Sequence, residues 1–272
     1  MRKVLVIVAC IVFCAVIITP VIAVFNTTPH RYITRSYDYV LDGRPGTISL
    51  ALSTDVYLEY LKKDPYWDIN DNTSYFLSYI NDPAQQPYIK TLADEIREVT
   101  ENPDDQVRIA TNLVQHIAYN KGNNIRFPYE VLYENRGVCG GKSLLLAALL
   151  RELGFKSSVL YFLPVNHMTT GVGCPGPYDF QGSGYCMIET TVISIITDET
   201  AIRNTGENDW TIPDIMDVYE GHLLDRPDRD YYDARALIIL KSENTEARKA
   251  GETLSSKDYE RWYRLKAKYD LL

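Results

Sequence analysis

Cys139 is the residue of this sequence best placed for nucleophilic chemistry. It lies in the stretch GVCGGKS (137–143), directly before the apolar run LLLAALLREL, which predicts a buried helix. The start of a helix offers unpaired N–H groups and a positive dipole end, and both favour a thiolate. The glycines at 140 and 141 would leave the sulfur approachable and expose N–H groups for an oxyanion. Cys139 is therefore a candidate nucleophile, although free cysteine is also commonly a small buried hydrophobic residue.

Two further polar residues lie on predicted strands downstream of Cys139. His167 lies at the start of a strand over 165–173, and Glu189 lies in a strand over 185–196 that is otherwise uncharged. A carboxylate inside such a strand is costly unless it has a partner. A hairpin turning near residues 178–179 would place His167 directly opposite Glu189. Glu189 would then orient the imidazole, and His167 would deprotonate Cys139.

These segments, in this order, resemble the transglutaminase-like superfamily, whose core is papain-like. The matching pieces are FPYEVLYENRGVCGGKSLLLAALLRELGF, NHMTTGV and YCMIETT, and with the preceding helix they span about residues 105–195. The resemblance implies an α+β fold, in which a central Cys-bearing helix packs on an antiparallel sheet. It also implies Cys139 as nucleophile, His167 as general base and acid, and Glu189 as the orienting group. Glu189 stands where the family usually has aspartate, and Val138 stands where it often has an acid.

Cys174 and Cys186 bracket the loop of the predicted hairpin. In an oxidising compartment they would form a disulfide that holds this loop. The alternative is a metal site made by both of them with Cys139 and His167. That spacing fits no standard zinc pattern, and the sequence contains no Cys-x-x-Cys motif.

Four other polar residues have a structural and a functional interpretation. Gln115 and Tyr119 precede Cys139 and are candidate donors to an oxyanion, or else a capping glutamine and a buried tyrosine. His116 falls on the polar side of its predicted helix, where we expect it to be solvated. His222 lies in an acidic stretch, where we expect a structural or surface role.

Residues 1–25 set the expected location. Val4–Phe25 are 22 residues without a charge, and at about 1.5 Å per residue a helix of this length crosses a hydrocarbon core of about 30 Å. The basic start favours an N-terminus inside and the remainder outside. We expect a single-pass cell-membrane protein with an extracytoplasmic domain, or a secreted protein if cleavage follows Ala23. Glycosylation sequons at Asn26 and Asn72 are compatible with this placement.

The composition is that of a globular protein. The chain has 272 residues, 46% hydrophobic and 24% charged, with a formal net charge of −8. This excludes intrinsic disorder and argues against nucleic acid as the main partner, because phosphate binding needs clustered lysine and arginine. We expect an anchor or signal at 1–25, a hairpin with helices at 26–100, the transglutaminase-like core at 101–200 and a C-terminal extension at 201–272.

Local patterns predict the elements around the candidate site. We expect a hairpin around the turn at 42–46, a loop over 121–137, and a charged helical tail over 245–271. Ser53 is expected to cap a short helix that ends near Lys62. Further strands are predicted at 32–41, 47–52, 157–163, 165–173 and 185–196, and helices at 84–100, from 103 to about 119, and from about 140 to a C-cap at Gly154.

Together these features predict a membrane-anchored, cysteine-dependent acyl-transfer enzyme that forms a thioester on Cys139. Its acceptor would be water, as in a peptidase or amidase, or an amine, as in a transglutaminase. Peptides or proteins at the cell surface are the expected substrates, and no cofactor or calcium site is expected. The alternative is a non-catalytic surface module that keeps the transglutaminase-like fold and binds a partner.

Overall fold

The computed structural model describes residues 31–63, 71–122, 124–203 and 213–271. The predicted membrane helix over 4–25 lies outside these residues, and among those described no helix combines the length and apolarity that crossing a membrane needs. The elements are β1 (Tyr32–Leu41), β2 (Arg44–Ser53), α1 (Thr54–Tyr60), α2 (Asn72–Asn81), α3 (Gln86–Val99), α4 (Pro103–His116), β3 (Ala118–Tyr119), α5 (Pro128–Glu134), β4 (Arg136–Gly137), α6 (Cys139–Glu152), β5 (Ser157–Phe162), β6 (His167–Gly173), β7 (Tyr185–Ile188), α7 (Thr200–Arg203), β8 (Asp214–Tyr219), α8 (Pro227–Lys249) and α9 (Ser256–Lys268).

The N-terminal hairpin β1–β2 follows from alternating sequence and from its turn. Asp42 and Gly43 both have positive φ, of 52° and 74°, as a two-residue hairpin turn requires. Strand β2 begins at Arg44, earlier than the predicted start at 47, because the ladder continues to the turn itself. The hydroxyl of Tyr37, buried on β1, donates to the carbonyl of Leu132 at 2.8 Å. This bond ties the hairpin to the region just before the candidate nucleophile.

The predicted loop over 121–137 contains a helix, α5, so that prediction was wrong. Pro128 supplies the fixed φ that suits a first helical position. The Glu130 side chain accepts from the N–H of Phe127 at 3.0 Å, which caps the helix N-terminus. Asn135 then ends the helix in the left-handed region, with φ of 51°. The helix has only seven residues, which is too short for a clear hydrophobic period.

Helix α6 lies at the centre of the core. Residues 144–150 are fully buried, as the apolar run predicted, and the helix packs against α3, α4, α5 and the sheet. Gly154, with φ of 91°, follows its last turn. A helix with no polar side gives its first residue a fixed position. The candidate nucleophile therefore lies at the start of the most completely buried helix among the described residues.

The sheet has the strand order β7-β6-β5-β8, with antiparallel neighbours. Thr170 pairs with Ile188 and Val172 with Cys186, so the predicted register was wrong by two residues. A shift of two keeps every side chain on its face, whereas a shift of one would have reversed them. Strand β7 also ends at Ile188, because the chain turns and Thr197 donates its N–H to the carbonyl of Met187 at 2.9 Å. Glu189 therefore stands just beyond a strand end instead of within a long strand.

Cys174 and Cys186 form a disulfide, with their Cα atoms 5.3 Å apart. The bridge spans the loop between β6 and β7, which is the connection that the sequence singled out. It also removes two of the four side chains of the alternative metal site, so that interpretation was wrong.

Replacing Cys174 and Cys186 together by serine is expected to lower the free energy of unfolding by about 2–3 kcal/mol. The bridge constrains a loop with a sequence separation of 12, and its loss frees the unfolded chain. Urea unfolding followed by circular dichroism measures the change. The variant Cys139→Ala, which removes a thiol outside the bridge, is the control. An unchanged unfolding midpoint in the double variant would contradict the prediction.

The C-terminal extension is anchored to α4 by buried charges. Arg108 Nη2 lies 2.7 Å from Asp230 Oδ2 of α8, and both side chains are almost fully buried. The hydroxyl of Tyr269 donates to Asp233 Oδ2 at 2.8 Å, which holds the end of the chain against the same helix. The predicted tail helix over 245–271 is two helices, because α8 runs to Lys249 and α9 begins at Ser256, capped by Ser255.

Candidate active site

Cys139 is the first residue of α6, and the packing around its first turn explains the glycine that follows. A Cβ on Gly140 would lie 2.8 Å from Ile125 Cδ1, and one on Gly141 would lie 3.4 Å from the carbonyl oxygen of Arg126. The chain at 125–126 therefore crosses directly over the first turn of α6. At position 140 a Cβ would lie closer to Ile125 than side chains normally approach, so glycine is favoured there, which the sequence alone did not reveal.

His167 is the first residue of β6, beside the start of α6. It follows Asn166, whose positive φ of 47° turns the chain into the strand, and it pairs with Phe162 of β5. The imidazole is 7% exposed, and its Nε2 lies 2.8 Å from Glu189 Oε2. A carboxylate can only accept, so Nε2–H is the donor and Nδ1 is the nitrogen left for the sulfur.

Glu189 is 1% exposed, and its carboxylate is fully hydrogen-bonded. Oε2 accepts from His167, while Oε1 accepts from Thr191 N at 2.7 Å and Thr191 Oγ1 at 2.6 Å. The structure thus brings His167 and Glu189 together as expected, although by a strand end and not by the predicted cross-strand pair. The longer glutamate reaches the ring from this position beyond β7.

The pKa of the Cys139 thiol is set more by its hydrogen bonds and the neighbouring charge together than by its burial. Burial by itself raises the pKa of Cys139. The hydrogen bond and positive charge of His167, together with the N–H groups of Met168 and Gly140, hold that pKa below its usual range. The same interactions act in reverse on the ring, because burial lowers the pKa of His167 while bonds to Cys139 and Glu189 raise it well above the usual value. The site therefore favours a thiolate–imidazolium pair.

The acid of the site is ionised for the same reason. Burial raises the pKa of Glu189, but the opposing effects of His167 and Thr191 are larger together and hold that pKa below its usual range. His167 is protonated below its raised pKa, and Glu189 is ionised above its lowered pKa. The ion pair therefore stabilises the fold at pH values between these two pKa values. This contribution is lost as the pH falls through the folded pKa of Glu189 or rises through that of His167.

Gln115 has a positioning role that excludes it as an oxyanion donor. Its Nε2 donates to the carbonyl of Glu189 at 2.7 Å and to the carbonyl of Ser194 at 3.2 Å. Tyr119 is 47% exposed, so the buried-tyrosine interpretation was wrong. Burial, then the charges of Cys139 and Glu189, raise the pKa of Tyr119, and Tyr119 lines the same cleft as Cys139. Of the two candidate donors, only Tyr119 remains.

Lys142 is a buried cation at the site that sequence reasoning missed. Its Nζ donates to the carbonyl of Ile117 at 2.5 Å and to that of Gln115 at 3.2 Å, at the end of α4. Burial lowers the pKa of Lys142 to about 8. The available signal was a single lysine three residues after Cys139, on the side of the helix facing the core.

The two other histidines that the structure describes, His116 and His222, make their contacts elsewhere. His116 is half-buried and its Nε2 lies 2.8 Å from Asp270 Oδ2, so the expectation of a solvated ring was wrong. His222 is exposed, and its backbone bonds to Gly154 and Lys156. Among the described residues, no cluster of three His, Cys, Asp or Glu side chains could hold a metal ion.

A narrow cleft of about 140 Å³ opens over the sulfur. The wall on the sheet side includes Tyr161, whose hydroxyl donates to Asn166 Oδ1 at 3.2 Å. The lining residues are Phe76, Tyr119, Gly122, Ile125, Val138, Cys139, Gly140, Tyr161, Asn166 and Met168.

Comparison with known proteins identifies the core. The family described as transglutaminase-like superfamily matches residues 90–189, so the match ends on the candidate acid. A crystal structure described as that of a putative cysteine protease from Cytophaga hutchinsonii is similar, with 14% sequence identity and a TM-score of 0.31. The similarity covers 60% of this chain and 65% of that chain. No curated protein matches the chain. The resemblance expected from the motifs is confirmed: the chain has a mixed helix and sheet fold with a transglutaminase-like core.

Proposed function

We propose that the chain is a cysteine-dependent acyl-transfer enzyme, a peptidase, amidase or transglutaminase, with Cys139, His167 and Glu189 as its catalytic triad. The observation that carries the proposal is the short Nε2–Oε2 hydrogen bond of 2.8 Å, which leaves the other ring nitrogen to the sulfur. The lowered pKa of Cys139 supports the same assignment. A buried carboxylate that is bonded to a buried histidine is costly to maintain in a fold unless it serves such a pair.

In the first half-reaction, the Cys139 thiolate attacks the carbonyl carbon of an amide, and a C–S bond forms. The proton that left the thiol is held on His167. As the C–N bond breaks, His167 gives this proton to the leaving amine, and an acyl thioester remains on Cys139. Glu189 keeps its charge throughout and holds the ring in one orientation.

In the second half-reaction, water or an amine attacks the thioester carbonyl. His167 takes a proton from the attacking group, the C–S bond breaks, and the thiolate–imidazolium pair is restored. The product is a carboxylic acid when water attacks and a new amide when an amine attacks. We assign the Tyr119 hydroxyl as the side-chain donor to the oxyanion in both halves, since Tyr119 lines the same cleft as Cys139.

We also propose that the domain is extracytoplasmic and anchored by the N-terminal apolar segment. The disulfide between Cys174 and Cys186 supports an oxidising compartment. Asn72 of the second sequon is exposed at the start of α2, as a glycosylated side chain must be. Peptides or proteins at the cell surface would then be the substrates.

Alkylation of Cys139 by iodoacetamide across a pH series tests the triad. Peptide-level mass spectrometry follows Cys139 in the full chain, and glutathione added to the same solution serves as the reference thiol. We expect Cys139 to react with a midpoint well below the reference thiol pKa of about 8.5. A midpoint at or above the reference value would contradict the enzyme and favour the non-catalytic binding module.

A further inference from the structure

A second cavity, of about 350 Å³, lies beside the cleft of the sulfur. It is built mainly by α1, α2 and the chain between β3 and α5. The helices α1 and α2 precede residue 90, where the family match begins. The lining residues are Tyr60, Leu61, Lys63, Tyr75, Tyr79, Asn124, Ile125, Arg126, Phe127 and Glu130. We call this cavity the aromatic pocket.

The aromatic pocket and the cleft share a wall. Ile125 lines both of them, and its side chain lies against the first turn of α6 at Gly140. Tyr75 of the pocket and Phe76 of the cleft are neighbours on α2, with ring centroids 4.9 Å apart. A chain lying in the cleft with its carbonyl at Cys139 could therefore place a nearby side chain in the pocket.

The walls of the pocket are rings that are held in place. Tyr79 is 3% exposed and its ring centroid lies 4.7 Å from that of Phe127. The hydroxyls of Tyr75 and Tyr79 are hydrogen-bonded at 2.9 Å. Of the four aromatic lining residues that the structure describes, only Tyr75 is partly exposed, while Tyr60, Tyr79 and Phe127 are buried behind the surface. Aromatic rings pack on one another edge-to-face or offset, so Tyr75 offers a fixed ring on which another ring can pack. Because these side chains are already packed and fixed, ligand binding would not carry the entropic cost of ordering them.

The charged groups of the pocket are already engaged. Lys63 is paired with Asp82, and its Nζ lies 4.5 Å above the ring centre of Tyr60. Glu130 is the single acid among the described lining residues, and its oxygens bond to Arg126 and to the N–H of Phe127. A basic ligand side chain would find no available carboxylate, and an acidic one would compete with Asp82 or Glu130. An uncharged ring meets neither cost.

We propose that the aromatic pocket binds an aromatic side chain of the peptide whose carbonyl is attacked by Cys139. This specificity rests on the proposed function, because the peptide must be an acyl donor. Substrate selection would thereby be shared between α1 and α2, which precede the family match, and residues 124–130 within it.

N-acetyl dipeptidyl chloromethyl ketones test the pocket. The Cys139 thiolate attacks the chloromethyl carbon, a C–S bond forms and chloride leaves. Phenylalanine, alanine, lysine or glutamate is placed at the ketone or one residue before it, and mass spectrometry follows the alkylation of Cys139 in the full chain. We expect phenylalanine at one position to react at least about tenfold faster than alanine, as burial of one ring allows, and lysine and glutamate to show no such gain.

Two variants localise the effect. Tyr75→Ala removes a wall, and Leu61→Trp fills the mouth from a position that is 48% exposed, so its folding does not depend on core packing. Both are expected to remove most of the phenylalanine preference, whereas Tyr263→Ala, an exposed tyrosine on α9, keeps it. Iodoacetamide, which has no side chain to bind, is expected to alkylate Cys139 equally in all of them.

The outcomes separate the two proposals. Failure of Cys139 to react with iodoacetamide near neutral pH would overturn the proposed function itself. Normal iodoacetamide reactivity without a phenylalanine preference would overturn the aromatic pocket alone. A preference that persists in Leu61→Trp and in folded Tyr75→Ala would place the specificity elsewhere and also overturn the pocket.

Discussion

Replacing His167 by asparagine is expected to remove most of the Cys139 thiolate at about pH 6. Without the ring, burial of the sulfur is no longer outweighed, and the pKa of Cys139 rises to or above its usual value. A thiol with a pKa of about 8.5 is only about 0.3% ionised at about pH 6. Ultraviolet thiolate absorbance of the full chain, read against Cys139→Ala, measures the loss directly.

The acyl-transfer rate is expected to fall with the thiolate, because in the proposed mechanism His167 also moves the proton to the leaving amine. Loss of a general acid and base costs about 10²-fold to 10⁴-fold. His222→Asn is the matched control, since that exposed ring contacts neither the sulfur nor Glu189. Unchanged thiolate absorbance in a folded His167→Asn variant would show that the start of α6 ionises the sulfur without the histidine.

Replacing Glu189 by glutamine is expected to lower turnover by about 10²-fold to 10⁴-fold while the fold persists. The amide keeps the size of the carboxylate but removes the charge that supports the imidazolium. The pKa of His167 then falls, the pKa of Cys139 rises, and the alkylation profile of Cys139 moves to higher pH. The pH profile distinguishes this electrostatic role from a purely structural one, because a structural role would leave the midpoint in place.

A shorter acid provides the control for geometry. Glu189→Asp keeps the charge but withdraws it by one methylene from His167, so we expect a partial loss and a midpoint between those of the native protein and Glu189→Gln. Thermal unfolding below and above about pH 4.5 gives a second measurement, since stability from a lowered carboxyl pKa is present above that value and disappears below it. Equal midpoints for all three proteins would exclude Glu189 from the triad.

The site could be predicted from the sequence because few residues carry the necessary chemistry in an apolar setting. A cysteine before a helix without a polar side, and a carboxylate among buried apolar residues, both need a physical explanation. That reasoning brought His167 and Glu189 together correctly, although the register was wrong by two residues. The error left the facing of side chains intact, because strands alternate with period two.

The missed features depend on contacts between distant segments. Helix α5 is short, and its N-terminus is capped by a glutamate whose partner cannot be read from periodicity. Glycine is favoured after Cys139 because the side chain of Ile125 lies against the first turn of α6. No local sequence pattern indicates this contact. Lys142 is buried because carbonyls at the end of α4 accept its bonds, and that helix end lies more than twenty residues upstream.

Gln115 of α4 is hydrogen-bonded both to the helix that carries Cys139 and to Glu189. The Gln115 carbonyl accepts from Lys142, three positions after the sulfur, while the Gln115 amide donates to the carbonyl of Glu189. The segments that carry the candidate nucleophile and the candidate acid are therefore both bonded to one residue of one helix. A displacement of α4 would act on both of them at once.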